Sequence, residues 1–105
     1  MECEEINYFE NDDTVLSYGY VEKTEITSTA LKLKCRFFNY FLLVEDELIY
    51  IGFSKSIYHR MMQHKRDYNF DKILLVEFTS ERSARNTEKR MIKLFKPPYN
   101  KQYLN

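Results

Sequence analysis

The sequence has few of the residues that mark cross-linked, flexible or membrane-spanning chains. Its 105 residues include two glycines, two prolines, two cysteines and no tryptophan. The scarcity of glycine and proline argues against a flexible linker and a second domain. Two cysteines are too few for the disulfide framework of a small secreted domain, so we interpret Cys3 and Cys35 as free thiols in a reducing compartment. Because no apolar run approaches 18 residues, we expect an intracellular, cytoplasmic protein without membrane contact.

The formal net charge is zero, but the charges are unevenly distributed. Residues 1–50 contain 11 acidic and 4 basic residues, whereas residues 51–105 contain 5 acidic and 12 basic residues. The second half of the chain is therefore the half that a polyanion would prefer. A neutral total predicts weak, salt-sensitive binding to bulk DNA.

Aromatic residues are abundant, with nine tyrosines and eight phenylalanines, and 44% of the chain is hydrophobic. This composition predicts a packed core rather than disorder. Residues 1–13 are acidic and polar, and we expect them to form a poorly ordered lead-in. Alternation of apolar and polar residues predicts a strand over residues 14–21 and a half-buried strand over residues 26–37. The two would pair through a turn near residues 22–25, or the N-terminal region would supply an edge strand.

The rest of the chain predicts an α/β (α+β) domain, with a mainly antiparallel three-stranded central sheet flanked by helices. Apolar runs indicate the strands, and four-residue spacing of apolar residues indicates the helices. The strands are expected near residues 39–44, 48–53 and 73–78, and the helices near residues 55–66 and 80–95. We therefore divide the single compact domain into an N-terminal β extension, residues 1–37, and a core, residues 38–105.

Four elements of the core carry groups suited to phosphate chemistry. They are Tyr50-Ile51-Gly52, Arg60, Glu88 and Asn100. Cleaving a phosphodiester needs an activated water and positive charge near the phosphoryl oxygens. One carboxylate can hold Mg²⁺, which keeps most of its waters, and an arginine fork matches phosphate. A tyrosine can take a proton from water only if nearby cations lower its pKa from about 10.

These elements, in this order and spacing, resemble the catalytic set of the GIY-YIG endonucleases, which cut DNA with one bound divalent metal. The resemblance covers roughly residues 38–105. Its parts are Tyr50-Ile51-Gly52, a helix with Arg60 and His64, Ala84-x-x-x-Glu88-x-x-x-Ile92, and Lys96-Pro97-Pro98-Tyr99-Asn100. Any one of these parts is a weak signal, but four in order make chance agreement unlikely.

The first motif of that family departs from its pattern, since Phe38-Asn39-Tyr40 replaces the Gly-Ile-Tyr triplet. Tyr40 precedes Tyr50 by ten residues, a usual separation for the two tyrosines of the family. Phe41 is the competing alignment, with a turn one residue shorter. The strand register decides between them, because a slip of one residue turns a side chain to the opposite face of the sheet.

The resemblance implies a Mg²⁺-dependent DNA endonuclease, with Mn²⁺ as an alternative ion. Tyr50 would be the general base and Tyr40 would position water or phosphate. Arg60 would stabilise the phosphoryl charge, and Glu88 would bind the metal. Two residues are expected to support the site, His64 by lining it and Asn100 by fixing the tail through hydrogen bonds. Five further residues are candidates for contact with the nucleic acid: Lys55, His59, Lys32, Lys34 and Arg36.

Two other functions are compatible with the sequence. One is a catalytically weak nucleic-acid-binding or regulatory module that keeps the nuclease fold, which the altered first motif favours. The other is a protein-interaction domain whose acidic N-terminal half meets a basic partner. If the chain is a nuclease, its small size predicts weak specificity, recruitment by a protein partner, or a homodimer that cuts two strands. The composition is also typical of an AT-rich genome such as that of a phage or mobile element.

Overall fold

The structure is a computed structural model that describes residues 9, 12–25, 37–55, 60, 63 and 69–100. Its strands are β1 (Val15–Glu22), β2 (Phe37–Val44), β3 (Glu47–Ser54) and β4 (Lys72–Phe78). A 3-10 turn, Lys23–Glu25, follows β1. The helix α1 spans Glu81–Phe95, and Arg60 and Gln63 also have helical backbone. The predicted strands 39–44, 48–53 and 73–78 and the predicted helix 80–95 match these elements to within two residues.

The described strands form one antiparallel sheet in the order β1-β4-β2-β3. The expectation of a three-stranded sheet is therefore wrong, because β1 adds a fourth strand by pairing with β4 along most of its length. The predicted partner of this strand, residues 26–37, lies outside the described residues except for Phe37, which begins β2. The division into an extension and a core stays a prediction, although β1 belongs to the same sheet as the core strands.

The sheet has a hydrophobic cluster on each face, because its strands are apolar on both sides. The first cluster packs beneath α1 and includes Phe41, Leu74, Val76, Met91 and Ile92. The second cluster, on the opposite face, includes Phe38, Tyr40, Leu42, Phe70 and Ile73. Consecutive residues of β2 thus alternate between the two clusters. A shift of one residue in the pairing of β2 with its neighbours would therefore change which side chains meet on each face.

Phe9 belongs to the core, although we expected residues 1–13 to be a poorly ordered lead-in. Its side chain is buried, and its ring meets Phe41 and Phe78 edge to face, with centroids 5.7 Å and 6.3 Å away. A backbone hydrogen bond from the Asp12 N–H to the Phe9 carbonyl connects Phe9 to the next described residues. The large apolar area of a buried ring outweighs the polarity of its sequence neighbours.

The helix α1 begins and ends with well-formed caps. Ser80 precedes the helix, and its side chain accepts a hydrogen bond from the Ser83 N–H at 3.2 Å. Lys96 closes the helix in the left-handed region (φ 49°), and its N–H donates to the Ile92 carbonyl. The caps fix the position of Glu88 near the middle of α1. No helix in the described part of the chain is long and apolar enough to cross a membrane.

Candidate functional site

A β-bulge in the β2–β3 hairpin decides which aromatic side chain of β2 joins Tyr50. Next to the turn, Leu43 pairs with Leu48, but the following pair is Leu42 with Tyr50, so Ile49 is an extra residue in β3. Continued without the bulge, the pairing that begins at the turn would bring Phe41 opposite Tyr50. With the bulge, Leu42 is opposite Tyr50, and Tyr40 is opposite Gly52. A single inserted residue therefore exchanges the two faces of β2 relative to the rest of β3.

As a result, Tyr40 shares a sheet face with Tyr50, and Phe41 does not. The two tyrosine rings lie with their centroids 6.0 Å apart and their planes tilted by 32°. Phe41 lies on the α1 face, fully buried against Phe9. Of the two alignments that the sequence left open, the structure has the one that brings the two tyrosines together.

The hydroxyl of Tyr40 lies within the electrostatic influence of three other candidate residues. Burial, the main cause, raises the pKa of Tyr40 well above its usual value near 10, and Tyr50 raises it further by its charge and by a hydrogen bond. The Arg60 guanidinium lowers the pKa of Tyr40, and the Glu88 carboxylate raises it. The structure thus brings together Tyr40, Tyr50, Arg60 and Glu88, although β2, β3, a helical segment and α1 supply them separately.

Glu88 is the carboxylate of this group. It is half-buried, and burial raises its pKa above 4.5, while the cations Arg85, Lys89 and Arg60 lower it. Within the described part of the chain, its oxygens have no hydrogen bond or ion pair. A half-buried, unpaired carboxylate is a suitable ligand for a hard cation. The described residues contain no group of three or more His, Cys, Asp or Glu that could hold a metal together.

Asn100 connects the end of the described chain to the middle of Tyr50-Ile51-Gly52. Its Oδ1 accepts a hydrogen bond from the Ile51 N–H at 2.9 Å, and its Nδ2 donates to the Ile51 carbonyl at 2.8 Å. The N–H and carbonyl of Ile51 lie on the outer edge of β3, where the described sheet has no further strand. The Tyr99 N–H also donates to the Ile49 carbonyl at the bulge, at 3.1 Å. The tail thus stabilises both the bulge and the strand segment that carries Tyr50.

The remaining predicted contact residues are only partly visible. Lys55 is exposed, and its ammonium forms an ion pair with Glu81 at 2.6 Å, so it lies at the first turn of α1. The predicted helix 55–66 is described only at Lys55, which forms a bend directly after β3, and at Arg60 and Gln63, which are helical. Five predicted site residues lie outside the described residues: His64, His59, Lys32, Lys34 and Arg36.

Sequence reasoning missed two features of the site and its surroundings. In the sequence, Gly52 is notable only as part of Tyr50-Ile51-Gly52. In the structure, the Tyr40 ring packs directly against it. In the sequence, Asn39 is one of the residues that replace the Gly-Ile-Tyr triplet. In the structure its side chain is fully buried, and neither amide atom has a hydrogen-bond partner among the described residues. The register of the hairpin would have indicated the Gly52 contact. The burial of Asn39 could have been predicted, because this asparagine interrupts a run of seven apolar residues.

Comparison with solved structures finds a similar fold. The chain resembles the crystal structure of the GIY-YIG N-terminal endonuclease domain of UvrC from Thermotoga maritima, bound to its catalytic divalent cation, magnesium. The TM-score is 0.61 at 22% sequence identity, over 72% of this chain and 96% of that domain. No protein-family model matches the sequence, and no curated protein does.

At this level of identity the likeness is one of fold. It extends over nearly the whole of the compared domain. The chain has a GIY-YIG-like fold.

Proposed function

We propose that this protein is a divalent-metal-dependent endonuclease that hydrolyses phosphodiester bonds in DNA. The observation that carries the proposal is the grouping of Tyr50, Arg60 and the Glu88 carboxylate around Tyr40. This carboxylate is half-buried and has no ion pair with any described residue. Each of these residue types has a role in phosphoryl chemistry, and all four residues stand at spacings in the sequence that resemble the catalytic set of the GIY-YIG endonucleases. The fold, shared with a domain whose catalytic cation is magnesium, supports the same proposal.

The two tyrosines have different roles in this proposal. The high pKa of Tyr40 keeps its hydroxyl protonated at neutral pH, so it acts as a hydrogen-bonding group that positions water or phosphate. Tyr50 is the residue that accepts the proton of the attacking water. The hydrogen bond between the two tyrosines holds the Tyr50 side chain in place beside Tyr40. In the proposal both hydroxyls face the same substrate.

Arg60 and Glu88 provide the charges. Arg60 is exposed at the site, where its guanidinium can approach two oxygens of one phosphate. Glu88 would hold the metal, Mg²⁺ or Mn²⁺, which when bound supplies positive charge beside the phosphoryl oxygens. Asn100 supports the strand that carries Tyr50 and takes no part in proton transfer. A homodimer or a recruiting protein partner stays a prediction.

The direct test is cleavage of supercoiled plasmid in Mg²⁺, in Mn²⁺ and in EDTA. We expect nicking or linearisation with either metal and none in EDTA. Arg60→Ala and Glu88→Ala should each lower the rate by about 100-fold or more, the usual cost of removing a group that stabilises charge in the transition state. Arg90→Ala and Glu22→Gln, at exposed positions away from the site, are the matched controls and should cut at the wild-type rate.

Cleavage that survives EDTA or both site variants would contradict the proposal. If the folded protein binds DNA with and without metal but cuts no plasmid or linear DNA, the binding-module function replaces the nuclease. Folding is checked in the same samples by circular dichroism, so that a loss of activity is not confused with unfolding.

A further inference from the structure

The solvent-exposed side of α1 carries a row of cations that the proposed chemistry does not use. Arg82, Arg85, Lys89 and Lys93 follow one another at three- or four-residue spacing, and all four are exposed. Residues at this spacing lie on one side of a helix. We call these four residues the basic ridge. It is about 16 Å long, because 11 residues of helix rise about 1.5 Å each.

The basic ridge lies beside Glu88 on the helix surface. Arg85 precedes Glu88 by three residues and Lys89 follows it directly, and both lower the pKa of the Glu88 carboxylate. Arg90 is exposed as well, but it is about 160° from Glu88 around the helix axis, since each residue turns about 100°. The four ridge residues lie between about 60° and about 140° from Glu88, with Arg85 nearest, so Arg90 is farther from the candidate metal ligand around the axis than any of them.

The ridge has few negative charges of its own. Among the described residues, its one ion-pair partner is Glu81, which accepts a hydrogen bond from the Arg85 Nε at 2.8 Å and also contacts Lys55. Arg85 is fixed further by stacking on Phe53, with its guanidinium carbon 4.4 Å from the ring centroid. Within the described part of the chain, Arg82, Lys89 and Lys93 have no ion pair. Three cations thus remain available to an external anion.

We propose that the basic ridge is a second DNA-contacting surface, which binds the phosphate backbone of a duplex next to the bond held at Glu88. Phosphates of one strand are about 3.4 Å apart along the duplex axis, so a ridge of about 16 Å spans about five of them. An ordered row of single-sign charges fits a polyanion with regular spacing better than it fits a folded acidic protein. The contacts would position the duplex without reading its sequence.

The proposal rests on the proposed function only in its choice of DNA as ligand, and its test needs no cleavage. Binding of a fluorescent 20-base-pair duplex is measured by anisotropy in EDTA, on the Glu88→Ala chain, between 50 and 200 mM NaCl. The ridge variant combines Arg82→Ala, Lys89→Ala and Lys93→Ala. Alanine favours helix at each position, and circular dichroism should show that α1 is retained. We expect affinity to fall at least 10-fold at 100 mM salt, and the slope of log K against log salt to become shallower by about 2 to 3.

Two single variants give the matched comparison. Lys89→Ala and Arg90→Ala remove the same charge from adjacent exposed positions of one helix. Lys89→Ala should reduce the salt slope by about 1, whereas Arg90→Ala should leave it unchanged. Equal losses in the two variants, or an unchanged slope in the triple variant, would overturn the proposal. A chain that binds through the ridge and cuts nothing would refute only the nuclease, and one that cuts DNA while the triple variant binds normally would refute only the ridge.

Discussion

The ring of Tyr40 lies directly against the backbone of Gly52, its cross-strand partner. A Cβ atom built at residue 52 would be 2.2 Å from the Tyr40 Cζ and 2.2 Å from its hydroxyl oxygen. No real Cβ atom has neighbours this close, so the position requires glycine for its lack of a side chain. Gly52 thereby leaves room for the buried phenol between β2 and β3 and sets the height of its hydroxyl above the sheet.

We predict that Gly52→Ala displaces the Tyr40 ring and impairs both stability and cleavage. Forcing one extra carbon into a packed site typically costs about 1–3 kcal/mol. Gly19→Ala is the matched control, because nothing lies within 4 Å of the Cβ position at this strand glycine. Urea unfolding and plasmid cleavage of both variants give the comparison. On a Tyr40→Ala background the penalty of Gly52→Ala should largely vanish, and a full penalty there would show that Tyr40 is not the obstacle.

We predict that leucine substitutions at the two buried asparagines change the stability in opposite directions. Asn39 is 0% exposed, and neither of its amide atoms has a hydrogen-bond partner in the part of the chain that the structure describes. Asn100 is 1% exposed, and both of its amide atoms are hydrogen-bonded to Ile51. An unsatisfied buried polar group costs about 1–3 kcal/mol. Asn39→Leu should therefore raise the free energy of unfolding by about 1–3 kcal/mol, and Asn100→Leu should lower it by a similar amount because it leaves the Ile51 backbone groups unpaired. Denaturant titration checks both signs. A loss of stability in Asn39→Leu would indicate a partner for this amide, such as a buried water.

Much of the fold was predictable where the local pattern is strong. The apolar runs of β2, β3 and β4 and the four-residue spacing of α1 gave bounds within two residues, because burial on a sheet or beneath a helix imposes those periods. The candidate site itself stays a prediction. Tyr50 and Glu88 lie in the strand and the helix in which their sequence pattern placed them, and Arg60 has helical backbone as expected.

The pairing of the strands was less predictable, because it depends on contacts distant in sequence. β1 pairs with β4, whose partner residues are at least 50 positions away, from Glu22 with Lys72 to Val15 with Phe78, and no local signal specifies that partner. The choice between Tyr40 and Phe41 depends on one bulged residue, Ile49, whose carbonyl is held by the Tyr99 N–H from the tail. Composition likewise could not show that Phe9, within an acidic segment, is buried against Phe41.

The turn between β2 and β3 uses residues that are poorly suited to its shape. Glu45 and Asp46 both have positive φ, 49° and 67°, as in the tight hairpin turns that favour asparagine and glycine. The Glu45 N–H donates to Asp71, and Asp46 pairs with Lys72, so contacts with the start of β4 hold the turn. We predict that Glu45→Asn stabilises the protein by about 0.5–1 kcal/mol, because asparagine adopts the left-handed conformation of residue 45 at a lower cost than glutamate. The control is Glu47→Asn, which removes the same charge in strand conformation and should give no gain. Thermal unfolding of the two variants measures the difference, and an equal gain in both would assign the effect to charge instead.

Glu88 should destabilise the metal-free protein at neutral pH. Its folded-state pKa is raised by burial, so between the unfolded-state value near 4.5 and the higher folded-state value the folded protein binds more protons than the unfolded chain. Stability that is fully present below pH 4.5 is therefore progressively lost as pH rises through that window.

Glu88→Gln should remove this dependence of stability on pH. In EDTA at pH 7 it should be more stable than wild type, although it cuts no DNA. Added Mg²⁺ should raise the midpoint of thermal unfolding for wild type and leave that of Glu88→Gln unchanged, because only the carboxylate form gains a bound ligand. If Mg²⁺ stabilises both equally, Glu88 does not bind the metal, and another residue must hold it.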